Sequence, residues 1–427
     1  MKISPARIAA FDALFAIETE HVFTSDALPK NEYGLSVVDS ALCHEIVLGV
    51  LRRQIYLDRL IDIFAKGKSL DAAVRISIRL GVYQILFLDK VPDHAAINES
   101  VMLVQRAKKT SAKGFVNAIL RRSTRESVEI KFEDELDRVS VETSHPRWLI
   151  ERWIAEFGAA KAESVAKAHN GVPASGFRLL KDRETANWNR SEHVEGAYLT
   201  DRITPDLREL EAAGEIYFQD DASQMVARAV NVPTGGMFLD VCASPGGKTG
   251  LVAARYPNEL KLIVAGDIST RRVEFLRENC IRQGVRQVSV VQYDAEVAMP
   301  FVDATFDTVF VDAPCSGTGT IRHNPEIRYF LERDDFARFA EKQLRILIQA
   351  SKMVKQGGAL IYSTCSLERG ENESVIESFL ADNVSFTIVR PEVADRFVTG
   401  DGFARTWPDL DQMDGFFIAS MRRNSPL

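Results

Sequence analysis

The 427-residue sequence predicts an all-helical N-terminal region followed by an α/β region built on a doubly wound sheet. Three observations carry that expectation. Apolar residues recur at helical spacing through roughly the first 126 residues. After Gln219, short apolar runs alternate with amphipathic helical stretches, which is the sign of strands crossing over through helices. Near the end, the runs at 385–389 and 415–421 have no long helix between them, which predicts an antiparallel hairpin at one sheet edge.

Composition sets the outer bounds. Hydrophobic residues make up 46% and charged residues 26%, and the length suffices for two or three cores. No uncharged apolar run approaches the ~20 residues of a membrane span. Asp12 interrupts the first apolar stretch, which makes it a poor secretory signal. The five cysteines, Cys43, Cys242, Cys280, Cys315 and Cys365, form no CxxC pair and leave an odd one. That spacing argues against a disulfide framework and a zinc site, and for a reducing compartment. The expectation is a cytoplasmic monomer with no metal and no membrane contact. Net charge is −7, but residues 1–126 carry 18 Lys and Arg against 14 Asp and Glu, so a locally basic face remains open.

The helical region is expected to contain helices at about 6–17, 39–53, 56–64, 72–88 and 94–106, with Pro92 and Gly114 as breakers. Lys108, Lys109, Lys113, Arg121 and Arg122 cluster near its end. They are either a solvated face or, with a nucleic-acid partner, phosphate contacts. Residues 127–143 are charged and weakly patterned, as in a linker. Pro146 then opens a helix that runs through Phe157, and 171–215 mixes short strand-like runs with turns. The expected division is therefore a helical domain over 1–130, a small α+β piece over 144–215, and the α/β domain over 216–427. Sheet strands are expected at 237–241, 261–266, 287–292, 308–311 and 359–362.

Chemistry concentrates at the expected strand ends. The stretch Asp240-Val241-Cys242-Ala243-Ser244-Pro245-Gly246-Gly247-Lys248-Thr249 is a strand, a tight glycine turn and a helix start. Glycines there let a ligand approach the backbone and leave N–H groups free at the helix start. A phosphate-binding P-loop would need glycine where Cys242 stands, and GxGxxG is absent, which disfavours nucleotide triphosphatases and nicotinamide enzymes. Asp240, Asp267 and Asp294 close three successive strands. Asp267 lies 20 residues past Gly247, the spacing at which a carboxylate takes ribose hydroxyls. An adenosine-containing ligand without a triphosphate is the economical inference. Asp312-Ala313-Pro314-Cys315-Ser316-Gly317 and Tyr362-Ser363-Thr364-Cys365-Ser366 each place a cysteine just beyond a strand. The loops after the fourth and fifth strands of such a sheet are neighbours, so Cys315 and Cys365 are expected to face one pocket. The acidic run 368–373 is expected to open a helix whose positive end favours a thiolate at Cys365.

Seven strands with an antiparallel ending resemble the class I methyltransferase sheet, a Rossmann-like fold. The motifs DVCASPGGKT, DAPCSGTG–IRHNPEIRY and YSTCSLERGENE resemble those of the Sun/Fmu (RsmB-type) family of bacterial rRNA 5-methylcytosine methyltransferases. So do Phe218-Gln219-Asp220-Asp221-Ala222-Ser223-Gln224 and Asp414-Gly415-Phe416-Phe417-Ile418-Ala419. The helical region is similar to the NusB-like RNA-binding domain of that family, notably at Arg79-Leu80-Gly81-Val82-Tyr83-Gln84 and Gly114-Phe115-Val116-Asn117-Ala118. Ser244 and His323 depart from the family's usual alanine and arginine.

The resemblance implies methyl transfer from S-adenosylmethionine to carbon-5 of a cytosine in small-subunit (16S) rRNA. It makes Cys365 the nucleophile at carbon-6, Cys315 the residue that helps release it, and Asp312 a partner of the base. It places the cofactor against Cys242, Ala243, Ser244, Pro245, Gly246, Gly247 and Lys248, with Asp267, Asp294, Arg272 and Asp312 around it. A rival reading keeps only the helical region active, as a non-enzymatic RNA-binding or antitermination factor. Other eye-catching residues have plainer explanations: Cys43 and Cys280 as inert thiols on helices, His94 and His145 as structural hydrogen-bonders, Trp148 and Trp153 as core. Cys242 reads as a packing residue whose backbone meets the cofactor.

Overall fold

The protein is described by a computed structural model covering residues 2–185 and 188–424. Residues 1, 186–187 and 425–427, which the expected domain boundaries include, lie outside it. The chain divides into two compact units, and the division does not follow sequence order. The first unit takes residues 2–171 together with Ile321–Leu331, and the second takes the remainder.

The first unit is helical throughout. Helices at Pro5–Glu20, Val37–Arg52, Gln54–Ala65, Ala72–Phe87 and Asp93–Arg106 match the expected spans to within a few residues. Their apolar faces, including Phe11, Leu14, Ile46, Leu57, Leu80 and Leu103, meet in one buried core. Ser36 and Asp71 accept from the first-turn amides of Asp39 and Ala73, which fixes where two of these helices begin.

Two expectations need correction here. Gly114 does not break a helix; it sits at the second position of Lys113–Ser123, where glycine costs little because the first-turn amides have no helical partner in any case. The expected linker at 127–143 contains the helix Glu135–Thr143. Asp134 caps it, and Asp137 anchors it by accepting from Arg59 at 2.6 Å. Of the basic cluster, Lys109 pairs with Asp71 at 2.8 Å and Arg122 with Glu126 at 2.8 Å, so two of its five charges have an acidic neighbour.

The helix Arg147–Phe157 follows Pro146 as expected, and Trp153 is fully buried beside His145 and His169. Burial, with Arg328 next in effect, holds both imidazoles well below the ordinary histidine range, so they are neutral structural groups. Arg328 itself is fully buried and donates to Thr143 O and Asn170 Oδ1, both at 3.0 Å. Part of the DAPCSGTG–IRHNPEIRY stretch is therefore built into the helical unit.

The second unit holds two sheets. Strands β1 (Ser175–Leu179), β2 (Asn189–Arg190), β3 (Ala197–Thr200) and β4 (Ile216–Phe218) form a small antiparallel sheet in the order β2-β3-β1-β4. The 144–215 stretch is thus split at Gly171: the helices Arg147–Phe157 and Ala159–Ala168 belong to the first unit, and the strands with the helix Pro205–Ala212 to the second.

The large sheet contains β5 (Met237–Asp240), β6 (Leu262–Asp267), β7 (Val288–Gln292), β8 (Phe306–Asp312), β9 (Val354–Thr364), β10 (Phe386–Val389), β11 (Ala404–Arg405) and β12 (Phe417–Arg423). Its order is β10-β12-β9-β8-β5-β6-β7, with β11 alongside β12. Strands β5 to β9 are parallel, and β12 runs antiparallel to both β9 and β10, giving the antiparallel ending expected. The sheet has eight strands rather than seven because β11 is two residues long, too short to leave a periodic signal. Central strands such as β8 are buried on both faces, hence their continuous apolar runs. Among the described residues no helix is long and apolar enough to cross a membrane.

Candidate active site

Parallel strands deliver their loops to one edge of the sheet, and the order β9-β8-β5-β6-β7 places five such loops side by side. A cavity of about 250 Å³ opens there, lined by Cys242, Ser244, Asp267, Arg272, Asp294, Asp312, Cys315 and Cys365 among others. Every one of these residues stands at or just beyond the C-terminal end of a large-sheet strand or at the start of the helix that follows.

The loop after β5 is shaped for backbone approach. Gly246 has φ +99°, and a Cβ there would come within 2.8 Å of the Leu276 side chain. A Cβ at Gly266, on β6, would meet the Tyr293 ring at 2.2 Å, so the strand packs flat against that ring only as glycine. Asn279 Nδ2 donates to Pro245 O at 2.8 Å and Gln283 Nε2 to Gly246 O at 3.2 Å, which fixes the loop from behind. Asp267 holds its front: Oδ2 accepts from the Ser244 amide at 3.1 Å, and Oδ1 from the Ile268 amide at 2.8 Å and Arg272 Nε at 3.0 Å. A carboxylate at a strand end, beside a glycine-shaped loop and with a tyrosine and a second acid (Asp294) next to it, fits the ribose and base of an adenosine.

Asp240 is buried beneath the same loop. Its Oδ2 accepts from Thr249 Oγ1 at 2.6 Å, while Oδ1 has no partner. Burial drives its carboxyl up to about 7. Cys242 lines the cavity, and burial raises its thiol, so its sulfur is unreactive. Ala243, Pro245, Gly246, Gly247 and Lys248 do not line the cavity; they shape the loop behind it. The Lys248 ammonium lies 2.7 Å from Asp312 Oδ2 and 5.0 Å from the centre of the Phe416 ring. Asp312 Oδ1 accepts from Ser363 Oγ at 2.7 Å, which orients the carboxylate with both oxygens engaged.

Register explains why the two cysteines meet. Asp312 on β8 pairs with Ser363 on β9, so Cys315 and Cys365 leave adjacent strand ends together. Their sulfurs are 3.3 Å apart. Hydrogen bonding to Cys365, followed by burial, pushes the Cys315 thiol well above the ordinary range, so Cys315 keeps its proton. The Cys365 carbonyl accepts from Gly319 N at 2.9 Å, and a Cβ at Gly319 would strike the Gly415 carbonyl at 2.0 Å.

The acidic run after Cys365 does not behave as expected. The helix begins only at Glu373, and Arg369–Glu371 forms a 3-10 turn instead. Glu371 is fully buried under the two cysteine loops and accepts from Ser316, Ser366 and Gln343. Sequence reasoning missed Glu371 as a site residue because an acid in an acidic run reads as solvated surface. Tyr293, Lys342 and Ile346, which also line the cavity, carry no motif. Cys43 and Cys280 are buried on helices and do not line the cavity, and burial raises their thiols to about 12 and about 11.

The model of the NusB family matches residues 4–125, and that of the 16S rRNA methyltransferase RsmB/F family matches residues 227–422. The chain is 32% identical, over 99% of its length and 100% of the relative's, to a probable ribosomal RNA small subunit methyltransferase B of Bacillus subtilis. It is 33% identical to the ribosomal RNA small subunit methyltransferase B of Pseudomonas syringae, covering 88% of this chain and 86% of that one. A solved methyltransferase homolog protein from Pyrococcus horikoshii superposes with a TM-score of 0.56 at 25% identity, over 68% of this chain and all of the other. With the paired cysteine loops and the strand-end carboxylates on one sheet edge, and with relatives matched from end to end, the chain belongs to the RsmB/F family of 16S rRNA methyltransferases.

Proposed function

We propose that this protein methylates carbon-5 of a cytosine in small-subunit rRNA through a transient bond between Cys365 and carbon-6 of the base. The observation that carries the reading is the 3.3 Å approach of the Cys315 and Cys365 sulfurs at the mouth of the cavity. S-adenosylmethionine, when bound, supplies an electrophilic methyl group to that cavity. The glycine-shaped loop, Asp267 and Asp294 bind and orient it, with Arg272 steadying Asp267.

Carbon-5 of cytosine is a weak nucleophile. Addition of the Cys365 thiolate to carbon-6 pushes the ring electron pair toward carbon-5, which can then accept the methyl. Asp312, held by Lys248 and Ser363, lines the same cavity as the two sulfurs and is the residue assigned to the nitrogen-3 edge of the base, with the Lys248 ammonium beside it offsetting the charge that develops there. Release needs a base for the carbon-5 proton. Cys315 is held as a thiol chiefly by Cys365, and that influence disappears once the Cys365 sulfur is bonded to carbon. Cys315 then ionises more readily and takes the carbon-5 proton. The C–H pair re-forms the ring double bond, and Cys365 leaves with the pair of the S–C6 bond.

The NusB family match and the rRNA substrates named for the relatives make RNA the macromolecular partner, and the target base must be unpaired or flipped to reach the sulfurs. The test is methyl transfer from labelled S-adenosylmethionine to small-subunit rRNA, with 5-methylcytosine identified in the digested product. Cys365→Ala is expected to abolish transfer. Cys315→Ala is expected to accumulate a protein–RNA adduct that survives denaturant. Transfer by Cys365→Ala at the wild-type rate sinks the mechanism.

A further inference from the structure

Resting on that reading of the two thiols, we infer that Glu371 is a positioning residue that sets the separation of Cys315 and Cys365. A buried carboxylate is costly unless its lone pairs are engaged. Among the described residues no Lys or Arg pairs with Glu371, and everything that donates to it is neutral. Oε2 accepts from the Ser316 amide at 2.8 Å and from Gln343 Nε2 at 2.9 Å. Oε1 accepts from the Ser366 hydroxyl at 2.7 Å and from the Ser316 hydroxyl.

The identity of these donors carries the inference. Ser316 follows Cys315 and Ser366 follows Cys365, and their hydroxyls are themselves 3.1 Å apart. Gln343 also donates to Pro314 O at 2.9 Å, so Cys315 is gripped on both sides through a single carboxylate. Glu371 is in turn fixed from the sheet: its carbonyl accepts from the fully buried Tyr362 hydroxyl at 2.6 Å. Asn372 donates to Ser366 O at 2.8 Å and accepts from Thr364 Oγ1 at 2.5 Å, which ties the same turn to the end of β9. A group needed only to fill space here would be apolar. One carboxyl group shared by both thiol-bearing loops makes their spacing a single rigid quantity, and the release step is the one that depends on both sulfurs.

Full-length Glu371→Ala and Glu371→Gln test this, with labelled S-adenosylmethionine and small-subunit rRNA. In Glu371→Ala, kcat is expected to fall roughly 100-fold, the order of loss that a misplacement of about 1 Å produces. KM for S-adenosylmethionine should stay within about twofold, since Glu371 is absent from the cavity lining. The fraction of protein held as denaturant-resistant adduct should rise above wild type, because attack by one thiol tolerates a loose partner and release does not. Glu371→Gln should retain activity to within about tenfold, since the serine hydroxyls can turn to suit an amide. If Glu371→Ala does not fold, Gln343→Ala loosens the same grip from the other side, and the same adduct rise is expected.

A fall in activity and adduct together, in proportion to the folded fraction, would make Glu371 merely structural and overturn the inference. Wild-type turnover in Glu371→Ala would overturn it too. Cys365→Ala run in parallel separates the two readings. If it transfers methyl normally, the thiol mechanism fails and the inference goes with it. If it is dead while Glu371→Ala keeps wild-type adduct levels, the inference alone fails.

Discussion

Arg328 in the helical unit and Glu371 in the sheet unit are both fully buried charges without a counter-ion among the described residues. Each is solvated by neutral dipoles of the right sign. Arg328 donates to backbone carbonyls at helix ends, Thr143 O, Ser144 O and His169 O, and to the Asn170 side chain. Glu371 accepts from an amide N–H, two hydroxyls and a side-chain amide. The physics is the same, but what the partners are attached to differs. The acceptors around Arg328 end helices, so its loss should be felt as stability. The donors around Glu371 flank the two cysteines, so its loss should be felt in chemistry.

The comparison can be broken most easily at Arg328. Arg328→Ala leaves a cavity and several carbonyl acceptors unpaired, and should cost roughly 3–5 kcal/mol in denaturant unfolding of the full chain. A loss below about 1 kcal/mol would show that this buried cation does not hold Ile321–Leu331 in the helical unit.

A middle-sized effect is expected at Asp240, a third buried ionisable group, with an unpartnered oxygen. Its folded-state carboxyl is raised from 3.8 to about 7, so the native state keeps a proton that the unfolded chain gives up earlier. Its stabilising contribution is present below about pH 4 and lost progressively as pH rises to about 7. Asp240→Asn removes that dependence. Its Tm advantage over wild type should grow between pH 4 and pH 7 and level off above, while a constant difference would show Asp240 to be ionised throughout.

The smallest effect is expected at Glu371→Gln. Burial raises the Glu371 carboxyl, so the neutral isostere should be no less stable than wild type at neutral pH, within about 1 kcal/mol. A Tm for Glu371→Gln that falls as far as that of Arg328→Ala would erase the contrast between the two clusters.

Much of this was legible in the sequence, and the reasons are specific. The β5, β6 and β8 runs and the buried second half of β9 are short and apolar because parallel strands are covered on both faces, so their ends, and hence Asp267, Asp312, Cys315 and Cys365, can be placed from pattern. The helix at Glu135–Thr143 was hidden because charged residues crowd a short segment in which only Val139 and Val141 are buried apolar side chains, while the Asp134 cap and the Arg59–Asp137 pair that fix it depend on partners the pattern does not show. β11 is too short for any period. Glu371 falls inside the YSTCSLERGENE motif but reads there as one more acid in a charged run, and its packing under Ser316 and Ser366 gives it a role.

The sequence by itself determined most of the element types, the strand-end carboxylates and the pairing of two cysteine motifs, since these depend on local periodicity, turn chemistry and motif spacing. Only the tertiary structure decided that Ile321–Leu331 belongs to the helical unit, that the 144–215 stretch divides between the two units, and that a single buried carboxylate joins both thiol loops. Those outcomes follow from which distant groups satisfy a buried charge. A buried charge chooses its partners by proximity in space, and one-dimensional pattern carries no record of that choice.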